Sequence, residues 1–83
     1  MQLNYVMENY NTEDIADIEN FLTTHNIEFQ SLSNKIRIYF DNGGQIDVIF
    51  NKEIQLTFYN INYHSKCLIC KNKHEVMKII NKL

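Results

Sequence analysis

The chain has 83 residues, 45% of them apolar and 22% charged, with a net charge of −2. This composition describes one folded domain, residues 1–83, with room for a single modest core, and it excludes a disordered tail. A negative sum also argues against a binder that holds nucleic acid by bulk charge.

The first residues, Met-Gln-Leu-Asn-Tyr, lack the positive start and apolar run of a signal peptide. No stretch approaches the roughly 20 apolar residues of a bilayer crossing. No membrane contact is therefore expected, and a cytoplasmic setting is. Leu3, Val6, Met7 and Tyr10 recur at helical spacing, so residues 2–10 are predicted to form a short helix. Asn11 or Thr12 then reads as a cap for a second helix over roughly 12–25. Ile15, Ile18, Phe21 and Leu22 form its apolar stripe, with Glu13, Asp17, Asn20 and Thr24 opposite. Asn26 can adopt the left-handed backbone that ends a helix.

From residue 27 the period drops to two. Ile36, Ile38 and Phe40, then Ile46, Val48 and Phe50, then Ile54, Leu56 and Phe58 each form one apolar row. Three such strands predict a half-buried antiparallel sheet. At Asp41-Asn42-Gly43-Gly44 a two-residue loop would set Ile38 opposite Asp47, which places a polar residue in the core row. A three-residue loop with Gly44 left-handed is expected instead, pairing Phe40 with Ile46 and Ile38 with Val48. The next turn pairs Phe50 with Ile54 and Val48 with Leu56. Ile27 and Phe29 are expected opposite Ile38 and Ile36 across a four-residue Ser31–Asn34 loop, which sets Glu28 opposite Arg37. A further strand follows over roughly 63–70. Asn72 and Glu75 then open a last helix with Val76, Ile79, Ile80 and Leu83 inside. The fold class is α+β: a four- or five-stranded antiparallel meander with an N-terminal helical segment and a C-terminal helix packed mainly on one face.

Several residue groups bear on function. His64, Cys67, Cys70 and His74 are all zinc-ligand types. They span only eleven residues with no glycine or proline knuckle, and a strand would point Cys67 and Cys70 to opposite faces. The expectation is no metal and no cofactor: two small packing thiols between surface histidines. A redox role would require a helix N-terminus at the Cys-x-x-Cys, and two cysteines are no disulfide framework.

The outer sheet face is the stronger candidate. Arg37, Tyr39, Asp47, Ile49, Gln55, Thr57 and Tyr59 are expected there, and tyrosine and arginine are enriched at interfaces. The plain alternative is that Tyr, Ile and Thr are simply good strand formers.

Charge is sorted along the chain, with net −6 over residues 1–30, 0 over 31–59 and +4 over 60–83. Helix dipoles account for the acids Glu13, Asp14 and Asp17 and for Lys78 and Lys82. Lys66, Lys71 and Lys73 remain as a candidate basic patch. The helix–three-strand–helix order resembles double-stranded-RNA-binding domains in topology alone, with no residue motif of theirs. No phosphate loop, nucleophile elbow or metal-binding helix pair is present, so an enzyme is not expected.

Asn, Ile, Lys, Tyr and Phe supply 41 of the 83 residues, the mark of a low-GC genome, and small domains from such genomes are often carried by phages or mobile elements. The resulting expectation is a small, non-enzymatic module that binds another protein, in its sharpest form an anti-CRISPR-like or anti-restriction-like inhibitor of a bacterial defence factor. The alternatives are a nucleic-acid-binding accessory domain and a homodimer joined through a sheet edge.

Overall fold

A computed structural model of the chain describes residues 12–83. The short helix expected over 2–10, and its cap at Asn11, lie outside the described residues. The elements in order are α1 (Thr12–Thr24), β1 (Glu28–Leu32), β2 (Lys35–Tyr39), β3 (Gln45–Phe50), β4 (Ile54–Tyr59), β5 (Cys67–Cys70) and α2 (Lys73–Lys82). The five strands form one antiparallel sheet in chain order, an α+β meander.

α1 follows its apolar stripe: Ile18 and Leu22 are fully buried, and Ile15 and Phe21 pack beside them. It ends where its carbonyls find new donors. Ile27 N–H reaches the Leu22 carbonyl at 2.9 Å and Asn26 N–H the Thr23 carbonyl at 3.1 Å. This Schellman closure needs a left-handed residue between them, and Asn26 supplies it with φ 57°.

α2 opens on the Asn72 side chain, which accepts the Glu75 N–H at 3.1 Å. The Glu75 carboxylate in turn accepts from Lys71 N–H at 2.8 Å, one residue earlier than a standard capping box. Val76 and Ile80 are buried, whereas Leu83 is 47% exposed and lies beyond the buried stripe expected to include it.

Both helices lie on one side of the sheet. Ile18, Leu22, Val76 and Ile80 close over the inward row of Ile36, Ile38, Ile46, Val48, Phe50, Leu56, Phe58 and Cys70. Burying each large aliphatic side chain contributes about 1.5–3 kcal/mol against the entropy of ordering the chain.

The third hairpin has the expected register, Phe50 opposite Ile54 and Val48 opposite Leu56. The first two are each offset by two residues. Ile38 faces Ile46 and Ile36 faces Val48, because a three-residue loop closes Phe40 onto Gly44 rather than onto Ile46. Phe40 N–H donates to the Gly44 carbonyl at 2.9 Å, and Gly43 N–H to the Phe40 carbonyl at 3.0 Å. The left-handed residue is Gly43, at φ 90°, and not Gly44. Gly44 is small for another reason: a Cβ there would sit 2.6 Å from Ile61 Cγ1.

β1 and β2 join through Ser33 and Asn34 alone, so Phe29 faces Ile38 and Gln30, not Glu28, faces Arg37. Asn34 makes this short turn workable by bonding the neighbouring strand. Its carbonyl accepts Phe50 N–H at 2.8 Å, and its amide donates to Asn51 Oδ1 at 3.1 Å.

β5 is shorter than the strand expected over 63–70. Residues 60–66 instead form a connector that turns at Asn60, φ 56°, and stacks Tyr63 on Phe58 with ring centroids 4.7 Å apart. No helix of the described residues is long and apolar enough to cross a membrane.

Candidate protein-binding face

The side of the sheet away from the helices is built from three cross-strand rows. The registers align Glu28, Tyr39, Gln45 and Tyr59 in one row, and Gln30, Arg37, Asp47, Thr57 and Cys67 in the central one. The third holds Leu32, Lys35, Ile49, Gln55 and Ile69. All seven residues expected on this face, Arg37, Tyr39, Asp47, Ile49, Gln55, Thr57 and Tyr59, therefore share it. Strand parity forces this, since a register offset of two leaves each residue on its original side.

Asp47 is the electrostatic centre. It is 3% exposed, the one buried charged residue among those described. Arg37 lies directly across the ladder, with Nε 3.0 Å from Oδ1 and Nη2 3.4 Å from Oδ2. Lys35 Nζ stands 3.8 Å from Oδ2, and Gln45 donates to Oδ1 at 3.3 Å. The carboxylate is thus held beneath two half-exposed cations. The hydrogen bond and charge of Asp47 raise the Arg37 pKa and keep its guanidinium protonated.

Around this centre Tyr39 Oη donates to Gln30 Oε1 at 3.1 Å, which fixes the ring against the sheet. Tyr59 is 45% exposed and Ile69 58%. The result is an ordered arginine among tyrosine and aliphatic surface, chemistry suited to protein contact.

Six further members of this face do not follow from the sequence reading: Gln30, Leu32, Lys35, Gln45, Cys67 and Ile69. Lys35 and Gln45 were readable, because they alternate with the apolar row in the same strands as Arg37 and Asp47. Cys67 and Ile69 depended on the limits of β5, which no clean periodicity marks.

The three basic-patch lysines are not brought together. Lys73 is held by α1, paired to Asp17 and standing 3.4 Å from Asp14 Oδ1. The hydrogen bond that Lys73 donates to Asp17 is the main cause of its raised pKa. Lys66 and Lys71 are exposed and stand just before and just after β5.

The zinc-type residues are likewise dispersed. Cys67 is exposed on the outer face, where Gln55 Nε2 lies 2.9 Å from its Sγ. Cys70 is buried on the inner face, and burial pushes its thiol up to about 11, with the Glu75 charge adding to the effect. The His64 ring packs tilted against Tyr63, centroids 4.2 Å apart, and His74 is an exposed residue of α2. Among the described residues no group of three or more His, Cys, Asp or Glu is placed to hold a metal ion.

A cleft of about 580 Å³ opens between the β2–β3 loop, the connector after β4 and the chain end, lined by Phe40, Asp41, Asn42, Asn60, Ile61, Asn62 and Leu83. Among the described residues of that lining, Asp41 carries the one titratable side chain. No protein-family model, curated protein or solved structure matches the chain.

Proposed function

We propose that this chain is a non-enzymatic module that binds another protein through the outer face of its sheet. The observation that carries the reading is the asymmetry of the sheet. Both helices close over one side, while the other presents Arg37, braced on buried Asp47, among Tyr39, Tyr59, Ile49 and Ile69. A pre-ordered arginine beside tyrosines loses little side-chain entropy on binding, which is the usual makeup of an interface centre.

The finer form of the proposal is an inhibitor of a bacterial defence factor, carried by a phage or mobile element and acting in the cytoplasm. Its support is the small size and the strong Asn, Ile, Lys, Tyr and Phe bias, together with two free thiols. The nucleic-acid alternative has lost one of its supports, because Lys73 is engaged by Asp14 and Asp17. Lys66 and Lys71 remain for phosphate contacts.

The test is a comparison of tagged wild-type chain with a folded Arg37→Ala/Tyr39→Ala variant in capture from a bacterial lysate. The proposal expects one protein near equimolar ratio with the wild type and that same protein lost with the variant. Equal capture by both would remove this face, and retention only on DNA or RNA, falling steeply with salt, would favour the alternative.

A further inference from the structure

The two edges of the sheet differ in what they leave open. Phe58 N–H donates to the Lys66 carbonyl at 2.9 Å, so residues 58 and 66 form a hydrogen-bonded pair. In an antiparallel ladder such pairs alternate. With Leu56 opposite Leu68 and Ile54 opposite Cys70, Leu68 and Cys70 turn their backbone groups toward β4. Cys67 and Ile69 therefore turn their N–H and C=O groups outward, along an edge that no other described strand pairs with. β5 has no charged side chain of its own, and the Ile69 side chain beside this edge is 58% exposed. Exposed Lys66 and Lys71 bracket it, about 16 Å apart along an extended chain.

The opposite edge is acidic and partly occupied. The same alternation turns Phe29 and Ser31 outward in β1, but the Ser31 hydroxyl donates to Glu19 of α1. Glu28 lies at the start of the strand, and α1 packs along it. Among the described residues the open edge is therefore the basic one.

We propose that β5 accepts an extended acidic segment of a partner protein as a sixth strand of the sheet. Backbone groups of Cys67 and Ile69 would pair with the incoming strand, its apolar side chains would cover Ile69, and acids at its two ends would meet Lys66 and Lys71. A second copy of this chain fits less well. Antiparallel pairing of β5 with itself would bring the lysines of one copy beside those of the other, which is repulsive. The inference stands on the edge and its charge, independently of Arg37 and Tyr39.

The probe is a fluorescein-labelled seven-residue peptide, Val-Thr-Val in the middle with two acidic residues at each end. A counterpart carries lysines in place of the acids. Saturable anisotropy change is expected for the acidic peptide, at least about tenfold tighter than for the basic one. Ile69→Pro removes an outward donor and the exposed Ile69 side chain while leaving the bonds to β4 in place, a substitution that edge strands tolerate, and is expected to weaken binding by about tenfold or more. Lys66→Glu/Lys71→Glu, at two exposed positions outside the core, is expected to abolish it. Arg37→Ala/Tyr39→Ala is expected to bind the peptide as the wild type does.

The proposal is overturned by no saturable binding up to about 1 mM, by equal affinity for the two peptides, or by unchanged binding in the charge-reversed variant. Loss of binding in Arg37→Ala/Tyr39→Ala would move the peptide to the face and also overturn it. A wild-type dimer in light scattering that Ile69→Pro converts to monomer would assign the edge to a second copy instead.

Discussion

Arg37 and Asp47 face each other directly across β2 and β3, with Nε 3.0 Å from Oδ1 on the side of the sheet that no helix of the described residues covers. The pair is unequal in burial: the Asp47 side chain is 4% exposed and the Arg37 side chain 33%. Removing the cation and removing the anion are therefore different experiments.

Asp47→Ala leaves Arg37 and Lys35 able to turn into water, so a cost of about 1 kcal/mol is expected. Arg37→Ala alone should cost a similar amount, because Lys35 and Gln45 still contact the carboxylate. Lys35→Ala/Arg37→Ala leaves a buried carboxylate with only Gln45, and about 2–4 kcal/mol is expected. Urea unfolding of the wild type, these three variants and Lys35→Ala checks this; a double variant no worse than the sum of its two singles would contradict the shared role of the two cations.

Stability should fall at alkaline pH for two separable reasons. The Cys70 thiol is raised from 9.0 to about 11 in the fold. Between those values the unfolded chain loses a proton that the folded chain keeps, so unfolding becomes easier as pH rises. The expected loss is about 1–2 kcal/mol. Lys73, also raised, adds a contribution that is full below its ordinary 10.5 and fades above it. Thermal melts from pH 7 to 11 should show the first decline disappear in Cys70→Ala and the later one in Lys73→Gln.

The two thiols should also separate chemically. Cys67 is exposed and Cys70 is 2% exposed, so a disulfide reagent at neutral pH is expected to modify one thiol promptly and the second only on unfolding. Equimolar zinc should leave both the labelling and the melting temperature unchanged. Protection of both thiols by zinc would contradict their placement on opposite faces.

The adjacent glycines at the β2–β3 loop should respond to alanine for different reasons. Gly43 has φ 90° and open space around its Cα, so Gly43→Ala is expected to cost about 1–2 kcal/mol in backbone strain. Gly44 has no such φ, but a Cβ would meet Ile61 Cγ1 at 2.6 Å and Asn42 Oδ1 at 3.0 Å. Gly44→Ala should cost about 1–3 kcal/mol by pushing the connector away. Adding Ile61→Ala should recover part of the Gly44→Ala loss and none of the Gly43→Ala loss, a double-variant comparison read by denaturation.

Period-two alternation makes the outer face legible in the amino-acid sequence, because it fixes which side of the strand each residue takes. Alternation cannot distinguish registers that differ by two, since Ile38 opposite Ile46 and Ile38 opposite Val48 both pair apolar with apolar. The choice belongs to turn chemistry: Gly43 closes one hairpin with a single left-handed residue, and Asn34 supports a two-residue turn by bonding Phe50, the last residue of the adjacent strand, and Asn51 just beyond it. That second device depends on a contact 16 residues away and leaves no local trace. Lys73 is a similar case. Its charge is obvious in the chain, but its partners Asp14 and Asp17 lie on the other helix, 56 residues away for Asp17. The residue cluster His64, Cys67, Cys70 and His74 is legible as dispersed, because strand parity alone separates the two cysteines.

The most direct test of the proposed role is parallel affinity capture with the wild type and Arg37→Ala/Tyr39→Ala, after both give the same circular dichroism. One protein bound near equimolar ratio by the wild type and absent from the variant is the expected result. The same protein held equally by both would contradict the claim that the outer face of the sheet is the binding surface.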